Sequence, residues 1–224
     1  MTQFTNKQYE RFYFYVDWRS YYETEAMREP KKGTSIYCSF ADESWKKELI
    51  QAYSFRFTET PDFKQVENHI TTAVNSEHRE GFDNISLLSP DTYTAGVKLT
   101  LRCSFDGIGC PEIILVRKPE TCQDGAVRYG ECFEVVLWKN GVNVWRHFMD
   151  ENHKCSWHKR LGLTMSVAEK DIHELNVETK AGYIIFSVND IKAELRTEDL
   201  FEEFYVGVTA CEGIVRLYDF KVEC

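Results

Sequence analysis

The 224-residue chain is 43% hydrophobic and 28% charged, too apolar for a disordered protein and of a length that all-β folds of roughly 200–250 residues often fill with one core. Its 36 acidic against 27 basic residues give a net charge of −9, a field that repels phosphate backbones and anionic lipid, so neither nucleic acid nor a membrane surface is an expected partner. No run approaches the ~20 apolar residues of a membrane span, and an aromatic content of 14% favours strands, where rings pack on a pleated surface.

In chain order, Met1 to Gly33 reads as an aromatic-rich arm packed on the main domain, with Tyr13, Tyr15, Trp18, Tyr21 and Tyr22 in it and Pro30 and two lysines closing it. Residues 34–224 then form a single β-sandwich domain. Lys7, Glu10, Arg11 and Asp17 interrupt any apolar leader, which predicts a cytoplasmic protein whose eight cysteines stay reduced and serve mostly as small buried hydrophobes. No Cys-x-x-Cys pair occurs. Ser44 to Gln51 predicts a short helix capped by Ser44, and Thr197 to Glu203 a second helical turn. Tyr93 to Phe105 alternates apolar and polar residues as one long half-buried strand, and the same period of two returns at Phe133–Leu137, Ile184–Val188 and Phe204–Val208. Between these runs lie turn signals, among them Asp106-Gly107, Asp124-Gly125, Ala181-Gly182 and Glu212-Gly213. Asn140-Gly141 and Asn189-Asp190 each sit between two strand patterns and predict tight hairpins, the first with positive φ at both loop residues. Strands at this spacing predict an all-β fold, a two-sheet antiparallel β-sandwich with one or two short helices.

The C-terminal run from Glu203 to Gly213 (EFYVGVTACEG), followed by Arg216 to Val222 (RLYDFKV), resembles the closing strands of the concanavalin A-like lectin/glucanase superfamily. Ile172 to Val177, Tyr183 to Val188 and Ile191 to Leu195 resemble the strand and hairpin that precede them. The resemblance implies a jelly-roll β-sandwich and raises carbohydrate as a partner, without choosing among binding modules, glycoside hydrolases and polysaccharide lyases. It implies no organic cofactor, and a structural calcium is the ion such sandwiches often hold, with no ligands assignable here. Retaining glucanases of that superfamily carry Glu-x-Asp-x-x-Glu on one strand, a pattern absent from this chain. Glu131 and Glu134, three residues apart, point to opposite faces of a strand and cannot form such a pair.

The densest polar and aromatic cluster spans Glu134 to Trp138 and Asn143 to His147. Period two puts Asn143, Trp145 and His147 on one face, and antiparallel pairing brings Glu134 and Trp138 beside them. Two indoles, an imidazole, a carboxamide and a carboxylate form a mixture suited to sugars, whose C–H faces stack on rings while their hydroxyls need fixed donors and acceptors. Lys98 and Arg102, on the polar side of their strand, are expected to line the same groove and to suit an acidic sugar. The leading expectation is thus an oligosaccharide held on the concave sheet face. An enzyme of imported oligosaccharides with Glu134 and His147 or His158 as acid and base is the second reading, and a homodimer that buries the aromatic face is the third. His147, His153 and His158 beside Asp150 and Glu151 are spaced too irregularly to define a catalytic metal site.

Overall fold

The computed structural model describes residues 24–56, 60–72, 84–152 and 154–224. Most of the predicted arm, residues 1–23, lies outside them. Two sheets face one another. The first has ten strands in the order β1 (Thr24–Ala26), β9 (Glu120–Cys122), β10 (Val127–Tyr129), β3 (Ile50–Ser54), β6 (Asn84–Tyr93), β17 (Phe204–Cys211), β8 (Cys110–Val116), β11 (Cys132–Trp138), β12 (Gly141–Met149) and β13 (Cys155–Thr164). The second runs β16 (Ile191–Arg196), β15 (Tyr183–Val188), β14 (His173–Lys180), β7 (Lys98–Asp106), β18 (Ile214–Glu223), β5 (His69–Thr72) and β4 (Phe63–Val66), with β2 (Ile36–Ser39) also pairing β18. Among the strands of the described residues, pairings are antiparallel except that of β10 with β3. This is the two-sheet sandwich that the alternating pattern predicts.

Period two decides which residues meet between the layers. Leu99, Leu101, Cys103 and Phe105 of β7, Phe133, Val135 and Leu137 of β11, and Val206, Val208 and Ala210 of β17 belong to one continuous buried core. Lys98 and Arg102 project from the other side of β7 to solvent. Each Val or Leu removed from water in this way contributes about 1.5–3 kcal/mol, so the alternation fixes the face that each strand turns inward.

Four local expectations need correction. The alternation from Tyr93 to Phe105 is two strands, because Gly96 at φ 117 turns the chain between β6 and β7. The helix α1 covers only Trp45–Glu48, and Ser44 makes no side-chain cap; Asp42 instead accepts the Ser44 N–H at 2.8 Å, and Ile50 already belongs to β3. Thr197 to Glu203 forms no helix: the Thr197 hydroxyl donates to Asp199, whose carboxylate is drawn to Arg146 and Arg160. The β11–β12 hairpin pairs Trp138 with Gly141, so its loop residues are Lys139 and Asn140, neither at positive φ. The Asn189-Asp190 hairpin forms where expected, with Asn189 at φ 51.

The first sheet curls strongly. Phe55 after β3, Cys122 at the end of β9 and Cys155 at the start of β13 form one buried cluster, with Met149 of β12 packed against it. These residues come from the second, fourth, ninth and tenth positions of the sheet, so its two ends meet at this corner. Gly130 permits the approach, since a Cβ there would lie 2.2 Å from the Met149 Sδ. The face turned away from the second sheet is thereby concave and partly closed, and it has its own buried cluster of Ala52, Leu88, Ile114, Val116, Tyr129, Cys132 and Tyr205.

Candidate functional site

On that concave face the hairpin places the predicted residues in adjacent rows. Glu134 stands opposite Trp145, Cys132 opposite His147, and Val136 opposite Asn143. The expected sharing of one face by Glu134, Trp138, Asn143, Trp145 and His147 therefore holds as geometry, but the five separate into two environments. Glu134 and His147 are 4% and 2% exposed, whereas Trp138, Asn143 and Trp145 at the sheet end are partly exposed.

The buried half is a polar network. His147 Nε2 lies 2.6 Å from Glu134 Oε2, and the Arg56 guanidinium lies 3.7 Å from Glu134 Oε1. Arg56 also stacks over the Trp157 ring at 4.9 Å, and Trp157 lies nearly parallel to the His147 imidazole with centroids 6.2 Å apart. Burial alone would raise the Glu134 pKa, but the His147 contact and then the Arg56 charge overcome it and hold the carboxyl below its ordinary range. Burial together with the Arg56 and Arg146 charges keeps His147 below its ordinary value despite Glu134, so we assign a neutral imidazole donating from Nε2 to an ionised Glu134.

Glu112 of β8 joins this network and is absent from the sequence-based expectations. It pairs with Val136 in the ladder, one diagonal step from Glu134, and is 2% exposed. Burial and then the Glu134 charge push its pKa well above the ordinary carboxylate value. Two neighbouring buried carboxyls are thus driven apart, one ionised and one protonated. A lone acid in the run Glu112 to Val116, otherwise apolar, is the signal that marks it. Arg56, in a turn after β3, reaches the network only through the curl, and its local sequence carries no such mark.

The remaining candidates do not join. Lys98 and Arg102 belong to the second sheet, so the expectation that they share a groove with Trp145 is corrected: Arg102 pairs with Asp219 at 2.8 Å, and Lys98 borders a shallow depression beside Thr100, Asn176 and Lys192. His158 pairs with Arg146 in the ladder, on the face opposite His147, and its exposed ring meets Phe148 edge-on at 5.5 Å. It cannot partner Glu134. Asp150 accepts from the backbone N–H groups of Asn152 and Lys154 in a turn, while His153 lies outside the described residues.

The exposed half lies on β11, β12 and β13. Trp138 pairs with Gly141, and Trp145 lies four residues further along β12, a separation of about 13 Å along the strand at the usual rise. Asn143 sits between these rows, opposite Gly162, and exposed Lys159 stands opposite Trp145. Because Gly162 adds no side chain, backbone forms the floor beside Asn143, with the Lys159 side chain lying over it.

Among the described residues, ten and eight strands curled and packed in this order form a sandwich of the concanavalin A-like jelly-roll fold. Solved structures of that fold include a carbohydrate-binding module, CBM66, from Bacillus subtilis (TM-score 0.53, 9% identity, covering 88% of this chain and 100% of that one). They also include a Bacillus subtilis protein of unknown function with a galectin-like fold (TM-score 0.60, 11% identity, 87% and 98% covered) and the Bacillus licheniformis β-glucanase (TM-score 0.58, 10% identity, 86% and 99% covered). At identities this low the likeness shows a shared fold and nothing more. No sequence-family model matches the chain, and neither does the sequence of any curated protein. Among the described residues no helix is long and apolar enough to cross a membrane.

Proposed function

We propose that the protein is a carbohydrate-binding β-sandwich that holds an oligosaccharide across Trp138, Asn143 and Trp145 at the β11–β13 end of its concave sheet. The observation that carries this reading is the separation of one predicted face into a partly exposed indole–carboxamide–indole row and a buried ionic network beside it. Indoles spaced along two adjacent strands suit stacking on successive sugar rings, and Asn143 offers both a donor and an acceptor to the hydroxyls between them. The fold's occurrence in a carbohydrate-binding module and a β-glucanase supports the ligand class.

In this reading Glu134 and His147 support the platform and do not touch the sugar. Glu134 is the direct cross-strand neighbour of Trp145, and its oxygens are engaged by His147 and Arg56. A glycosidic oxygen has no approach to a carboxyl 4% exposed, which is why binding is preferred to hydrolysis. The test is a panel of oligosaccharides presented to the wild type and to Trp145→Ala, with reducing ends assayed in parallel. Binding is expected to weaken at least tenfold in the folded variant, with no new reducing ends. Undiminished binding by Trp145→Ala, or hydrolysis that Glu134→Gln abolishes, would overturn the proposal.

A further inference from the structure

Cys132, Glu134 and His147 bring three different ligand atoms together: a thiol sulfur, a carboxylate oxygen and an imidazole nitrogen all lie within 4.8 Å of one another. The arrangement follows from register, because Cys132 is the direct cross-strand partner of His147 and Glu134 is the next residue on the same face of β11. We infer that these three residues form a binding site for a divalent transition metal of borderline softness, zinc above all.

Magnitudes favour this ion. Around a tetrahedral zinc with Zn–S near 2.3 Å and Zn–N and Zn–O near 2.0 Å, sulfur and oxygen stand about 3.5 Å apart and nitrogen and oxygen about 3.3 Å. Here Cys132 Sγ is 3.9 Å from Glu134 Oε1, and His147 Nε2 is 2.6 Å from Oε2. Side-chain adjustments below one ångström convert one arrangement into the other. A thiolate and an imidazole are poor partners for calcium or magnesium, which take oxygen ligands in greater number.

Charge agrees as well. The Cys132 thiolate and the ionised Glu134 supply the two negative charges that balance a dication. On binding, the Cys132 S–H bond breaks, its electron pair goes to the metal and its proton to solvent, while the His147 imidazole changes tautomer, giving up its Nε2 proton and taking one at Nδ1, so that the Nε2 lone pair is free for the metal.

The test uses the full-length protein, stripped with chelator and titrated with cobalt(II) and then zinc. One cobalt per chain is expected, with a thiolate-to-cobalt charge-transfer band that zinc bleaches, and zinc is expected to raise the melting temperature of the stripped wild type. Cys132→Ser should lose the band and bind zinc at least tenfold more weakly, while Cys224→Ser, at an exposed thiol, should keep both. Should Cys132→Ser fail to fold, the wild-type stoichiometry, band and melting shift decide the matter. No bound cobalt, a spectrum without the thiolate band, a melting temperature indifferent to zinc, or a band that survives in Cys132→Ser would each overturn the inference.

Discussion

Glu112 and Glu134 show how one sheet face gives two identical side chains opposite charge states. Glu134 has a histidine and an arginine for partners and stays ionised. Glu112, buried beside that charge, has its pKa pushed well above the ordinary carboxylate range and is held protonated. Above pH 4.5 the unfolded chain sheds this proton while the folded chain retains it, and stability therefore falls as pH rises through that interval, by up to about 1.4 kcal/mol per unit. Glu112→Gln keeps the shape of the protonated carboxyl without the proton uptake. In chelator-treated protein it should raise the melting temperature relative to wild type clearly at pH 8 and little at pH 5; an equal gain at both would show that Glu112 is not buried protonated. Period two and one hairpin made the shared face of Glu134, Trp138, Asn143, Trp145 and His147 legible. The burial of two of the five was not, because it depends on residues that the curl brings from across the sheet.

Among elements, the β11–β12–β13 meander positions both halves of the site, and Gly141 sets its register. Its φ is 131, and a Cβ there would lie 1.9 Å from the Leu163 carbonyl oxygen of β13, so both conformation and close approach require glycine. Gly96 has a similar φ of 117 with nothing within 4 Å of an added Cβ, so only the conformational demand applies there. In urea unfolding, Gly141→Ala should lose about 2–4 kcal/mol and Gly96→Ala about 1–2. Equal losses would mean that β13 does not press on the hairpin. The strands themselves were readable from alternation, yet the break at Gly96 was hidden because Tyr93 and Leu99 keep the same apolar phase across it. Thr197 to Glu203 carries helix-start chemistry, but its Asp199 serves Arg146 and Arg160 instead, and those ion pairs are tertiary.

Over the whole molecule, the first sheet folds over its own concave face until Met149 and Cys155 reach Phe55 and Cys122. Sequence pattern specifies which side of a strand is apolar, but not how far a ten-stranded sheet bends, because curvature accumulates from twist over many strands. Hence the fold class was legible while the division of the concave face into a buried ionic centre and an exposed indole row was not. Lys98 and Arg102, on the outer side of the second sheet, are separated from the platform they were expected to share because β7 belongs to the other layer. The most direct test follows amide hydrogen exchange as a saccharide found in the panel is titrated in. Protection is predicted over β12 and β13, Gly141–Thr164, with β8 and β17 unchanged. Protection centred on Cys110–Val116 and Phe204–Cys211, or a panel in which no saccharide alters exchange anywhere, would contradict the account.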